Sequence, residues 1–256
     1  MLLVADIGNT NITLGVYKNN KLLFVSRLNT VRQKTDDEYA INLKDILSLY
    51  DICDGFSGAV IASVVPELTN VFKDSVYKVT GNTALVVAPG LKTGLKICID
   101  NPKELGADLV ASAVGAISKY PLPCLIIDLG TASKLSVINE DGAFLGCAIV
   151  SGVEISLDAL SKRTSQLPAI SLEAPANAIG TNTIDSIKSG TLLGNAAMLD
   201  GLSDILENEL GKPFKTLVAT GGLSKDVIPL CKKEIILNKT LILEGLYEIY
   251  YKNVHS

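Results

Sequence analysis

The stretch from Leu2 to Tyr17, LLVADIGNTNITLGVY, constrains this chain more than any other. A short apolar run, Leu2 to Ala5, ends in Asp6, passes Gly8, Asn9, Thr10 and Asn11, and turns back into the alternating Ile12, Leu14 and Val16. A carboxylate at the end of a buried strand is costly unless a counter-charge or a metal meets it. Glycine and short amide or hydroxyl residues beside it let backbone N–H groups approach an anion closely. The unit therefore reads as a seat for a metal-bound phosphate. The chain repeats the arrangement at Leu125 to Val137, LIIDLGTASKLSV, with Asp128, Gly130, Thr131 and Ser133 in the same order. Each copy runs on to a turn signal, Lys18-Asn19-Asn20-Lys21 or Asn139-Glu140-Asp141-Gly142, and then to a third strand. Two copies predict a duplicated α/β fold of two domains, 1–117 and 118–256, with two phosphate-holding hairpins facing each other across a cleft.

Composition narrows what such a fold can do. With 256 residues, 48% of them hydrophobic and 20% charged, the chain can bury one or two cores. Its net charge of −4 argues against a nucleic-acid partner, which needs a basic stripe. No apolar run reaches the ~20 residues that span a bilayer, and the first strand is too short, and too soon interrupted by Asp6, for a signal peptide. Five scattered cysteines without metal spacing read as reduced thiols of a cytoplasmic protein. The only histidine, His255, stands next to the C-terminus, which excludes a Ser-His-Asp mechanism.

Along the chain, Thr35 with Glu38 forms a capping box before an amphipathic helix carrying Tyr39, Leu43, Ile46 and Leu47. Gly58 to Val65 reads as a buried strand and Pro66 as the first residue of a second helix. A short strand is expected at Ala84 to Val87. Three antiparallel strands followed by alternating helix and strand make a ribonuclease-H-like unit. Lys96 to Ile99 reads as an extended edge, and Asn101-Pro102 as a turn before a helix that begins near Asp108. Asp108 is either a partner of the helix dipole or a general base taking a proton from a substrate hydroxyl. In the second half, a long helix is expected over Ile184 to Leu206, its small residues suited to a subunit interface or to packing within the chain. Gly221-Gly222, after the strand Thr216 to Ala219, again permits close backbone approach to a phosphorylated ligand. A last helix is expected over Leu237 to Asn253.

In these motifs the sequence resembles the type III pantothenate kinases, a branch of the superfamily of acetate and sugar kinases, heat-shock chaperones and actin. The likeness rests on DIGNTN at Asp6 to Asn11, TDDEY at Thr35 to Tyr39, SVVP at Ser63 to Pro66 and DNPKELGAD at Asp100 to Asp108. It continues through DLGTA at Asp128 to Ala132, GTNT at Gly180 to Thr183 and TGGL at Thr220 to Leu223. The resemblance implies an actin-like ATPase fold, ATP-dependent phosphorylation of pantothenate's primary hydroxyl, Mg²⁺, a monovalent cation such as K⁺ or NH₄⁺, and a homodimer. Carried over, it implies that Asp6, Ile7, Gly8, Asn9, Thr10, Asn11, Ile12 and Thr13 hold the ATP phosphates, with Asp6 on Mg²⁺. Thr131, Gly221 and Gly222 also fall on the ATP side, Asp128 on the monovalent cation, and Asp108 at the proton. Ile99, Gly106, Ala107, Leu109 and Thr183 then line the acceptor side with Asp108.

The departures from the family pattern cluster. Leu109 stands where an arginine follows Gly-Ala-Asp, Ile99 replaces a tyrosine, Ser151-Gly152 replaces Pro-Gly, and Ser133-Lys134 replaces two threonines. Lys134 either places its ammonium where the family places K⁺, near Asp128, or points outward as a solvated lysine. Three activities stay open: a pantothenate kinase with a rearranged pocket, a paralogue acting on another small hydroxyl compound, and a nucleotide-binding dimer without catalysis.

Overall fold

A computed structural model describes residues 1–53, 55–163 and 173–254; His255 lies outside them. In chain order the elements are β1 (Leu2–Ile7), β2 (Asn11–Lys18), β3 (Lys21–Asn29), α1 (Asp36–Leu49), β4 (Gly58–Ser63), α2 (Pro66–Thr80), β5 (Leu85–Val86), β6 (Lys96–Ile97) and α3 (Ala107–Lys119). The second half supplies β7 (Cys124–Leu129), β8 (Ala132–Ile138), β9 (Ala143–Ser151), α4 (Val153–Arg163), α5 (Thr183–Leu210), β10 (Thr216–Thr220), α6 (Ser224–Val227), β11 (Ile236–Leu237) and α7 (Leu241–Val254). They form two compact units. One holds Met1–Leu95, Asp100–Ser118 and the chain from Thr240 onward; the other holds Lys96–Ile99 and Lys119–Lys239. A linear division at residues 117 and 118 thus differs from this partition at β6, which joins the second unit, and at α7, which joins the first.

The first unit is built on a five-stranded sheet ordered β3-β2-β1-β4-β5, with β1, β2 and β3 antiparallel and β4 parallel to β1. Leu3, Ala5 and Ile7 alternate onto one face. There they meet Tyr39, Leu43 and Leu47 of α1 and Leu68, Phe72 and Val76 of α2 in one buried cluster. Each of the leucine, isoleucine, valine and phenylalanine side chains contributes about 1.5–3 kcal/mol through removal from water. Thr35 and Glu38 form the expected capping box, worth about 0.5–2 kcal/mol for its Thr side chain. Pro66 opens α2, and Gly81, at φ 69°, closes it. Asn19 and Asn20 both adopt positive φ between β2 and β3, the geometry a two-residue hairpin turn needs.

The opposite face of this sheet takes α7, which packs on β1, β2 and β4. Tyr250 Oη donates to Ser57 O at 3.1 Å, and α7 meets α3 through two glycines. A Cβ on Gly245 would fall 1.7 Å from Ala111 O, and one on Gly115 would fall 2.4 Å from Leu241 O. The helix begins at Leu241 rather than at the expected Leu237. Ile236 and Leu237 are drawn instead into β11, in register with Val218 and Ala219, and Asn238 N–H donates to Ala219 O at 2.8 Å.

The second unit repeats the plan in a six-stranded sheet ordered β11-β10-β7-β8-β9-β6, in which β9-β8-β7-β10-β11 corresponds to β3-β2-β1-β4-β5. Leu125, Ile127 and Leu129 of β7 and Leu135 and Val137 of β8 pack with Leu192, Ala196 and Leu199 of α5. None of the five cysteines is in a disulfide, and burial pushes Cys124 up to about 12 and Cys231 to about 11. Among the described residues no helix is long and apolar enough to cross a membrane.

The α3–α7 contact admits no side chain, so Gly245→Ala is expected to cost about 1–3 kcal/mol through overpacking. Gly201→Ala, on α5 with open space around it, is expected to stabilise by about 0.5–1 kcal/mol. Urea unfolding of the two variants checks both signs.

Candidate active site

In the first unit, β1 delivers Asp6 to the mouth of the β1–β2 hairpin, where its Oδ1 is shielded from solvent. Thr13 stands directly across from it. Gly8 N–H donates to Asn11 O at 3.0 Å, and a Cβ on Gly8 would crowd that same oxygen at 3.0 Å. The turn is therefore tight, with Asn9, Thr10 and Asn11 exposed on it. Ile7 and Ile12, by contrast, are wholly buried in the core. Any share they have in holding a phosphate comes from their backbone.

Two residues outside the expected set brace this turn. Thr30 N–H donates to Thr10 O at 2.9 Å, and Thr30 Oγ1 donates to Gly8 O at 2.7 Å. Arg32 donates from Nη2 to Asn9 Oδ1 and from Nη1 to Glu67 Oε1, each at 3.1 Å. The available signal was the antiparallel pairing itself. Because Asn29 lies opposite Asn11, whatever follows β3 must return alongside the turn.

The start of α3 is tied to the same place. Val64 N–H donates to Ile7 O at 3.0 Å, and a Cβ on Gly106 would lie 3.8 Å from Val64 Cγ1. Gly106 thus neighbours the residue that bonds the end of β1. Asp108 sits in the first turn of α3, half-buried, and its Oδ1 accepts from Leu109 N–H at 2.8 Å. A Cβ on Gly106 would come within 2.5 Å of Asp108 Oδ1. Glycine at this position leaves the carboxylate its room. Ala107 is the first residue of the helix, and Leu109 is buried within it.

In the second unit the corresponding hairpin is surrounded by glycines. Gly221, at φ 93°, backs onto Leu129, where a Cβ would fall 2.5 Å from its backbone carbon and oxygen. A Cβ on Gly152 would fall 2.3 Å from Thr131 O and 2.5 Å from Gly130 O. Three chain turns thus converge over Leu129 to Thr131, with Thr131 and Gly222 exposed. Asp128 pairs in register with Thr220 on one side and Lys134 on the other. Lys134 Nζ lies 3.2 Å from Asp128 Oδ2, both side chains being largely buried, 18% and 13% exposed. Lys134 therefore points at the carboxylate and not outward. Gly106 lies beside Val64, whose N–H bonds Ile7 O, and Gly221 lies against Leu129, the residue after Asp128. Thr183 opens α5 as an exposed residue, and Ile99 follows β6, half-buried.

A family model described as type III pantothenate kinase matches residues 2–204. A type III pantothenate kinase from Halalkalibacterium halodurans is 40% identical over 259 residues, covering 99% of this chain and 100% of that protein. The chain belongs to the type III pantothenate kinase family.

More distant structures share the fold. An activator of 2-hydroxyisocaproyl-CoA dehydratase from Clostridium difficile, with ADPNP bound, matches with a TM-score of 0.58 at 12% identity, over 98% of this chain and 93% of that one. A ROK family glucokinase from Streptomyces griseus, in complex with glucose and AMPPNP, matches with a TM-score of 0.52 at 15% identity, over 100% and 99%. Membership in the pantothenate kinase family makes this protein an ATP-dependent kinase.

Because only glycine leaves space for the Asp108 carboxylate, Gly106→Ala is expected to displace that group while the fold persists. A misplacement of about 1 Å costs roughly a hundredfold in rate. Steady-state kinetics beside a thermal melt checks the split: kcat falls and Tm holds.

Proposed function

We propose that this protein transfers the γ-phosphoryl group of ATP to the primary hydroxyl of pantothenate, in the cytoplasm and as a homodimer, the first step of coenzyme A synthesis. The observation that supports the reading is the Asp108 carboxylate in the first turn of α3, next to Gly106, which neighbours the Val64 that bonds the end of the strand bearing Asp6. Phosphoryl transfer asks a protein mainly to position reactants and neutralise charge. In this reading the exposed Asn9, Thr10 and Asn11 turn, stiffened by Thr30 and Arg32, binds the phosphates through backbone and amide donors. Asp108 accepts the proton of the attacking hydroxyl, the part a histidine would otherwise play.

The residues present fit Mg²⁺ at Asp6. Mg²⁺ is commonly held by one or two carboxylates together with substrate phosphates, and a shielded carboxylate oxygen at an otherwise open turn is such a donor. Bound there, Mg²⁺ would offset charge on the phosphate oxygens. The monovalent cation implied at Asp128 does not fit, because the Lys134 ammonium already lies against that carboxylate.

A second acceptor is favoured by one observation. Leu109 is buried and apolar where the family pattern carries an arginine, so a charge-assisted hydrogen bond worth about 1.5–3 kcal/mol is missing from that position. An ATP-consumption assay with pantothenate and a panel of small hydroxy acids and alcohols separates the two readings. Turnover with pantothenate supports the first, and turnover only with another compound supports the second.

Asp108→Asn is expected to lower kcat by about 10²–10⁴-fold, the range that general base catalysis supplies, with Mg-ATP affinity retained. Calorimetric titration of Mg-ATP alongside the rate measurement checks it. A wild-type rate in that variant removes Asp108 from the chemistry.

A further inference from the structure

The two hairpins carry the same acidic residue at the same point of the same strand, and they differ in what stands across from it. Asp6 and Asp128 are each the fifth residue of a six-residue strand. In the first hairpin the register sets Thr13, seven residues on, opposite Asp6; in the second it sets Lys134, six residues on, opposite Asp128. A β-strand alternates its faces with every residue, so a one-residue change of register exchanges the two faces. Matched by motif, Thr13 corresponds to Leu135. Matched by register, it corresponds to Lys134, and Leu135 turns into the hydrophobic core. The shorter turn at Gly130 and Thr131 is what delivers a cationic side chain to the acidic end of β7.

We propose that the Lys134 ammonium is the built-in monovalent cation of the second hairpin, so that this protein needs no K⁺ or NH₄⁺. The ammonium carries the charge of such an ion and lies 3.2 Å from Asp128 Oδ2. It sits on the same strand face as the carboxylate and is mostly withdrawn from water. A buried carboxylate requires a counter-charge. A tethered one is present at high effective concentration whatever the ion content of the solution. A free ion would have to displace the lysine and strand its charge in the same poorly hydrated place. Lys134 is then a positioning residue. It holds Asp128 at the base of the turn formed by Gly130 and Thr131, where Gly152 packs on Gly130 and Thr131 and Gly221 on Leu129. Its effect on turnover rests on the kinase reading, whereas its effect on cation binding does not.

The test compares wild type with Lys134→Thr, which restores the hydroxyl residue of the family pattern. Each is assayed in K⁺ and in tetramethylammonium at equal ionic strength. Three quantities are read: turnover with pantothenate, Mg-ATP affinity and melting temperature. The wild type is expected to be indifferent to K⁺ in all three. The variant is expected to lose about 10–150-fold in ATP affinity or turnover without K⁺, the equivalent of one charge-assisted hydrogen bond, and to recover with it. If the variant folds poorly, a melting temperature raised selectively by K⁺ still supports the proposal. Strict K⁺ dependence of the wild type overturns it. So does a variant that shows no response to K⁺, since the lysine would then not be standing in for an ion. If no acceptor turns over, the kinase reading fails on its own. The melting curves still decide the cation question.

Discussion

A carboxylate placed at the end of a buried strand is the constraint on which the rest of this structure depends. Two such carboxylates occur, and each must be met by positive charge or by hydrogen-bond donors to be tolerated. Asp6 and Asp128 occupy equivalent positions in two equivalent sheets, and the chain treats them differently. At Asp6 the cross-strand residue is a neutral threonine and the turn beyond is polar and exposed, an arrangement that suits an incoming metal–phosphate. At Asp128 the charge is met from within, by Lys134. The two halves of the duplicated fold thus differ in what stands across from the same carboxylate: Thr13 in one, Lys134 in the other.

The glycines follow from the same demand for close approach. Gly152, against Gly130 and Thr131, and Gly221, against Leu129, let three turns meet with no room for a side chain between them. Gly106 plays a different part. It clears the space that the Asp108 carboxylate occupies, so a residue expected on the acceptor side serves here to make room for a neighbouring side chain. The loop of the first hairpin depends on neither glycine clearance nor burial alone. Thr30 and Arg32 hold it from the segment that follows β3, through two side chains that no local motif identifies.

Much of this was legible in the sequence because it is encoded locally. The repeated strand-Asp-Gly-hydroxyl unit, the Thr35–Glu38 capping box, Pro66 at a helix start and the Asn19-Asn20 turn each carry their own signal in neighbouring residues. What was not legible depends on distant parts of the chain. The allegiance of α7 to the first sheet is set by contacts with β1 and β4, and its late start by the capture of Ile236 and Leu237 at the edge of the other sheet. The orientation of Lys134 stood open between an inward and an outward position. It turns on the length of one turn, and a residue more or less there exchanges core for surface along the whole of β8. Leu109 was visible as a departure, but its burial in α3 shows that the position now serves packing.

The account is tested most directly by an anomalous difference map from crystals grown with Mn²⁺, a non-hydrolysable ATP analogue and thallous ion in place of K⁺. It predicts a manganese peak beside Asp6 and no thallium peak beside Asp128, where the Lys134 ammonium should be seen instead. Thallium bound to Asp128 with Lys134 displaced, or manganese absent from Asp6, would contradict it.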